Sequence, residues 1–381
     1  MRKCYAKRKN YTRTRRIKND NRFRTIKTND KSLYNFSSND YLGLAHDKDL
    51  LQKFYQNYSF DNYKLSSSSS RLIDGSYLTV MRLERKVEEI YGKPCLVFNS
   101  GFDANSSIIE TFFDKKSLII TDRLNHASIY EGCINSRAKI LRYKHLDTSA
   151  LEKLLKKYSE NYDDILVVTE TVYSMDGDCA DIRKICNLKD EYKFNLMIDE
   201  AHSYGVYGYG IAYNEKLVDK IDFLVIPLGK AGASVGAYVI CDEIYKNYLI
   251  NKSKKFIYST ALPPVNNLWN LFILENMINF QNRIEKFQEL VTFSLSTLKK
   301  LNLKTKSTSH IISIIIGDNL NTVNLSNNLK ELGYLAYAIK EPTVPKDTAR
   351  LRISLTADMK KEDIEKFFKT LKAEMKKIGV I

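Results

Sequence analysis

The chain has 381 residues, 44% hydrophobic and 28% charged, a balance that allows a large buried core and excludes a disordered protein. Its densest apolar run, 311–316, is strand-sized and far below the roughly 20 residues of a membrane span, so a soluble, cytoplasmic protein is expected. The net charge of +15 is local: residues 1–31 carry thirteen Lys/Arg against two acids, and the rest is close to balanced.

A groove that binds nucleic acid without reading sequence draws its cations from several elements, so a basic arm argues against a nucleic-acid partner. The arm reads either as a solvated extension or as an electrostatic landing site for an anionic acyl donor. Six cysteines with no Cys-x-x-Cys pair, and no secretory apolar region, read as scattered thiols in a reducing compartment.

Short strand-like segments alternate with longer amphipathic stretches through the middle of the chain. Strands are predicted at 95–98, 117–121, 139–143, 165–169, 195–198, 223–226 and 237–241, with helices at 148–157 and 181–192. That alternation implies an α/β protein with a mostly parallel sheet covered on both faces. From Pro264 a helical region begins, with Leu268, Leu271, Phe272, Leu274 and Ile278 at helical spacing. A strand (311–316), a helix (323–332), a strand (351–355) and a last helix (361–377) complete a smaller α+β unit. The expected organisation is a basic arm and substrate-facing segment at 1–45, a large domain at 46–280 and a small C-terminal domain at 281–381.

Polar groups gather after the strands. Asp199 closes one apolar run and is followed by Glu200-Ala201-His202, while Lys230 sits in the glycine-flanked turn after the next. A strand-end acid and a mobile lysine suit a pyridoxal phosphate site, where the amine forms a reversible imine and shuttles a proton, and the acid keeps the ring nitrogen protonated. Ser100-Gly101-Phe102 opens a predicted helix, where free backbone N–H groups suit a phosphate. His126 follows another strand, and Glu170 to Asp178, including Ser174, forms a further loop at the same edge. His46, His145 and His310 give no comparable signal. Asp199 to His202 also spells a helicase-type acidic box, but that chemistry requires a Walker A loop, and the chain has none.

Together these blocks resemble the α-oxoamine synthases, a family of fold-type-I pyridoxal phosphate transferases. The likeness runs from about Asn35 to the last helix and rests on Asn35 to Leu44, Ser100-Gly101-Phe102, Leu124 to Ser128, Tyr173 to Asp178, Asp199 to His202, Gly229-Lys230, Tyr258-Ser259-Thr260 and Ala349 to Arg352.

The resemblance implies a role for each matching position. Lys230 would be covalently linked to the cofactor, Asp199 would hold its ring nitrogen, and His126 would stack on the ring. His202 and Ser174 would bond the ring hydroxyl region, Gly101 and Phe102 would offer backbone groups, and Thr260 would reach the phosphate of a partner subunit in a homodimer. Asn39, Thr343 and Arg352 would face substrate, with an N-terminal arginine, Arg13 or its neighbours Arg15 and Arg16. The implied reaction is a decarboxylative condensation of L-alanine with a pimeloyl thioester, on coenzyme A or an acyl-carrier protein, in biotin biosynthesis. Glycine C-acetyltransferase, 5-aminolevulinate synthase and serine palmitoyltransferase share these motifs and stay open as alternatives, and a nucleic-acid-binding protein using the basic arm stays open as a remote one. Three positions depart from the family pattern: Pro227 replaces a hydroxyl residue, Ser66 to Ser70 replaces a glycine-rich segment, and Val80 replaces a histidine.

Overall fold

The computed structural model describes residues 28, 32–58 and 64–381. The chain divides into two compact units: one holds Asn39–Ser174 and Asp178–Gln288, the other 32–38, Met175–Gly177 and Glu289–Ile381. The division falls inside the helix Gln281–Lys300, which is why no Gly/Pro-rich linker marks it.

The first unit is built on a seven-stranded sheet in the order Cys95–Phe98, Ala237–Cys241, Phe223–Pro227, Asn195–Asp199, Ile165–Glu170, Leu118–Asp122 and Lys139–Tyr143. Only Ala237–Cys241 runs antiparallel to its neighbours, so the other strands open their carboxyl ends at one edge. The central strands are buried along their whole length, as a sheet covered on both faces requires. The edge strand Lys139–Tyr143 is instead only partly covered and carries the exposed Lys139 and Arg142, which discourage further pairing.

Leu96, Ile119, Val168, Met197 and Val225 of the sheet pack with Ile108 and Ile109 of the helix Gly101–Phe112 and Ile129 of the helix Ala127–Ser136. Each such side chain stabilises the fold by about 1.5–3 kcal/mol, so this apolar face fixes how the two helices lie. They come close because residue 132 is glycine: a Cβ there would sit 3.0 Å from Ile109 Cβ and Ser106 Cα. Side-chain caps set the helix starts, with Ser100 accepting from the Asp103 N–H, Asp147 from Ala150 and Asp181 from Lys184. The predicted helix at 181–192 is shorter than its pattern. It is α-helical over Ile182–Asn187, then tightens to a 3₁₀ turn at Leu188–Asp190 where the Leu188 N–H reaches the Ile185 carbonyl.

The second unit carries an antiparallel sheet in the order Tyr337–Ile339, Ala349–Ser354 and Ile311–Gly317, with the helices Asn319–Glu331 and Lys361–Lys377. Residues 32–38 belong to it. Tyr34–Asn35 pairs in parallel with Tyr334–Leu335, the Ser354 N–H donates to the Phe36 carbonyl at 2.7 Å, and the Phe36 ring stacks on Phe367 at 3.8 Å. No described helix is long and apolar enough to cross a membrane.

Candidate active site

The strand ends of the first unit converge on a cavity of about 230 Å³. Cys95–Phe98 leads to Ser100, Gly101 and Phe102, and Leu118–Asp122 leads to His126 and Ser128. Ile165–Glu170 ends on Glu170 itself, Asn195–Asp199 on Asp199 with His202 just beyond, and Phe223–Pro227 delivers Lys230. The sheet thus brings Gly101, Phe102, His126, Asp199, His202 and Lys230 to one cavity from positions spread over 130 residues of chain.

Asp199 is buried, and both carboxylate oxygens accept N–H bonds, Oδ2 from Asn105 Nδ2 at 2.6 Å and Oδ1 from the Ala201 backbone at 2.8 Å. That arrangement suits an anion. His126 is the N-cap of the helix Ala127–Ser136, with Nδ1 2.8 Å from Ser128 Oγ. Burial pushes its imidazole pKa down, with Lys230 adding to that and Asp199 opposing it. Glu170 accepts the His126 backbone N–H at 2.5 Å and is pushed well above the usual carboxyl range by burial and by the Asp199 charge. A carboxyl so placed favours its neutral form beside Asp199.

His202 is oriented from behind. Its Nδ1 lies 2.6 Å from the hydroxyl of Tyr41, a fully buried residue whose hydroxyl also donates to Asn39 Oδ1 at 3.0 Å. Asn39 therefore reaches His202 through Tyr41. The Thr260 carbonyl accepts from Asn99 Nδ2 at 2.7 Å, and Thr260 forms an antiparallel bridge with Ser70. The serine run before it is tied down as well, with Ser67 Oγ donating to the Leu262 carbonyl at 2.6 Å and Ser68 in the left-handed region at φ 54°. Ser174 lies in the loop after Glu170, outside the cavity lining. In the second unit Arg352 is buried and donates to Ser354 Oγ at 2.7 Å, and Thr343 is exposed. Arg13, with Arg15 and Arg16, lies outside the described residues.

Pyridoxal phosphate fits these groups. It requires an amine for the aldehyde, an anion for the ring nitrogen, a flat partner for the ring and a dianion cradle, and Lys230, Asp199, His126 and the start of the helix Gly101–Phe112 offer them. The cradle depends on glycine: a Cβ at residue 101 would fall 2.6 Å from Pro227 Cγ. Sequence reasoning placed Glu170 in a loop at this edge without giving it a role, and gave Tyr41, Asn105 and Ser128 none as partners of His202, Asp199 and His126. The apolar run ending on Glu170 was a signal for the first. The other three have no pairing signal in the sequence, because Tyr41 and Asn105 meet partners far along the chain and the Ser128 contact with His126 depends on the turn's conformation.

The family model for aminotransferase class I and II matches residues 31–371. The chain belongs to that family. Within it the chain is an α-oxoamine synthase of the fold-type-I pyridoxal phosphate class, and its reaction is of the acyltransferase type. A Pasteurella multocida (strain Pm70) protein provisionally named 8-amino-7-oxononanoate synthase is 40% identical over 356 residues, 92% of each chain. One from Glaesserella parasuis serovar 5 with the same provisional name is 41% identical over 88% of this chain and 90% of its own. Among solved structures, the 8-amino-7-oxononanoate synthase of Francisella tularensis superposes with a TM-score of 0.77 at 28% identity, covering 91% of this chain and 99% of that one. Sphingomonas wittichii serine palmitoyltransferase gives 0.84 at 26%, covering 92% and 88%.

Proposed function

We propose that this protein joins L-alanine to a pimeloyl thioester, releasing carbon dioxide and the free thiol and giving 8-amino-7-oxononanoate for biotin biosynthesis. The observation that carries the reading is the placing of Lys230 and Asp199 on one strand-end cavity in a chain about 40% identical to proteins named for that product.

Pyridoxal phosphate, when bound, supplies an electron sink for the carbanion at the amino acid's α-carbon. The residues do the rest. The Lys230 amine takes the α-proton and later returns one, Asp199 holds the proton on the ring nitrogen, and His126 covers the ring face. His202 serves the ring hydroxyl from the cavity wall, and Ser174, outside that lining, would reach it from the loop after Glu170. The backbone at Gly101 and Phe102 holds the cofactor from the helix start, with Thr260 contributing across a homodimer interface. Arg352 pairs the amino-acid carboxylate in the fork geometry of guanidinium, and Asn39, Thr343 and Arg13 face substrate. By holding the amino-acid carboxylate and covering the ring, Arg352 and His126 would orient the α-hydrogen toward Lys230. The enzyme acts in the cytoplasm, with coenzyme A or an acyl-carrier protein delivering the acyl group.

The serine palmitoyltransferase neighbours keep a sister reaction in view. Mass spectrometry of products from alanine, glycine and serine, each with acetyl, succinyl, pimeloyl and palmitoyl thioesters, separates the two. Alanine with the pimeloyl donor is expected to give the main product. Lys230→Ala is expected to give none and to take up no borohydride label. A long-chain product from serine would replace the proposed substrates while keeping the family.

A further inference from the structure

We propose that Asn105 and Ser128 form a hydrogen-bond relay from Asp199 that fixes neutral His126 with its proton on Nε2. They are positioning residues, and the inference draws on the cofactor reading above only for what His126 then meets. Proton counting carries it. The Asn105 amide nitrogen has two hydrogens, and Asp199 Oδ2 accepts one at 2.6 Å. Turning the amide over would set two acceptor oxygens against each other at that distance, so its orientation is determined by Asp199. Asn105 Oδ1, on the other side, is buried without a hydrogen-bond partner, which the amide tolerates to keep its nitrogen on the carboxylate.

The second amide hydrogen goes to Ser128 Oγ at 3.0 Å. Ser128 then has one proton of its own to give, and His126 Nδ1 lies 2.8 Å away. The Ser128 backbone N–H points at the same nitrogen, at 3.3 Å. With two donors aimed at it, Nδ1 is an acceptor, and the single proton of a neutral imidazole resides on Nε2. Three elements are tied this way: the strand end at Asp199, the helix Gly101–Phe112 that carries Asn105, and the cap of the helix Ala127–Ser136. The close approach at Gly132 keeps the two helices near enough for the relay to span them. His126 accordingly presents an N–H donor to the cavity and does not act there as a base through Nδ1.

The test is long-range ¹H–¹⁵N correlation on ¹⁵N-histidine-labelled protein, first without pyridoxal phosphate and then with it. The chain has five histidines, and His126→Asn identifies the signal. Wild type is expected to show Nε2 protonated and Nδ1 bare. Ser128→Ala and Asn105→Ala are expected to move His126 toward the other tautomer, and Ser128→Thr, which keeps the hydroxyl, to restore it. Asn105→Ala matters most, because the Asn105 amide bonds Ser128 and Asp199, and comparison with Ser128→Ala, which leaves Asp199 held, separates the hydroxyl path from the Asp199 charge. It is also expected to weaken pyridoxal phosphate binding about tenfold by loosening Asp199. A wild-type Nδ1–H tautomer would overturn the relay whatever the variants do, and an Asn105→Ala protein with an unaltered His126 signal would remove its first link. A wild type that keeps the Nε2–H form and binds no pyridoxal phosphate would sink the cofactor reading and leave the relay standing.

Discussion

His145 bridges two carboxylates, with Nδ1 2.9 Å from Asp122 Oδ1 and Nε2 3.0 Å from Asp178 Oδ2, and its ring stands edge-on to Tyr173 at 4.4 Å. Burial alone would lower its pKa, but the two hydrogen-bonded carboxylates outweigh burial and raise it to about 9. Because the folded value lies above the unfolded one, the stabilisation is fully present below about pH 6.5 and is lost as pH rises through about 9. Solvent near the ring screens the pair, so the loss should be about 1–2 kcal/mol. Urea unfolding of wild type and His145→Gln at pH 6.5 and pH 10 measures it. The midpoint of wild type should fall more over that range, and parallel falls would mean that the bridge contributes no pH dependence. At this scale the sequence is readable only where a residue's surroundings are local. Asp199 ends an apolar run and Lys230 sits in the glycine-flanked turn just after the next, so both declare themselves. His145 gave no signal, since its partners lie 23 and 33 residues away and only the fold brings them to its two nitrogens.

The junction of the strand Phe223–Pro227 with the start of the helix Gly101–Phe112 is where two elements constrain each other most tightly. Pro227 ends its strand, where a missing N–H does least harm to the ladder, and its ring lies against Gly101. Replacing Gly101 with alanine would put a methyl 2.6 Å from Pro227 Cγ and 2.7 Å from its Cβ. Neither is the end of a flexible side chain, so strand or helix must shift, at a cost of about 1–3 kcal/mol. Gly101→Ala should therefore lower the urea midpoint and weaken cofactor affinity together, because the displaced helix start is part of the proposed cradle. Unchanged stability would show that the junction relaxes freely. The long buried strands were legible as elements because each is a continuous apolar run between turn signals. Tyr34–Asn35 was not. It has two residues, no periodicity, and a partner at Tyr334–Leu335 some 300 positions on, so nothing local tied it to the C-terminal unit.

At the scale of the whole molecule, several large apolar side chains near the proposed site face solvent. Ile73, Leu78 and Tyr258 are 84%, 82% and 81% exposed, and Leu65 and Leu72 add to them. These residues lie on two segments that the Ser70–Thr260 bridge brings together. Asn99, which lines the cavity, donates to the Thr260 carbonyl and connects those segments to the chemistry. Exposed apolar side chains brought together in this way mark association surfaces, and a second copy of the chain is the occupant that the Thr260 proposal requires. Sedimentation should then give a mass near twice the 44.1 kDa of one chain. Ile73→Asp with Leu78→Asp would place two charges in that interface, leave the buried core untouched, and shift the protein toward monomer. Activity should fall with the dimer fraction and recover at high protein concentration, since mass action restores an interface weakened but not abolished. Full activity in a stable monomer would mean that each cavity is complete within its own chain, and Thr260 would then have no role across subunits.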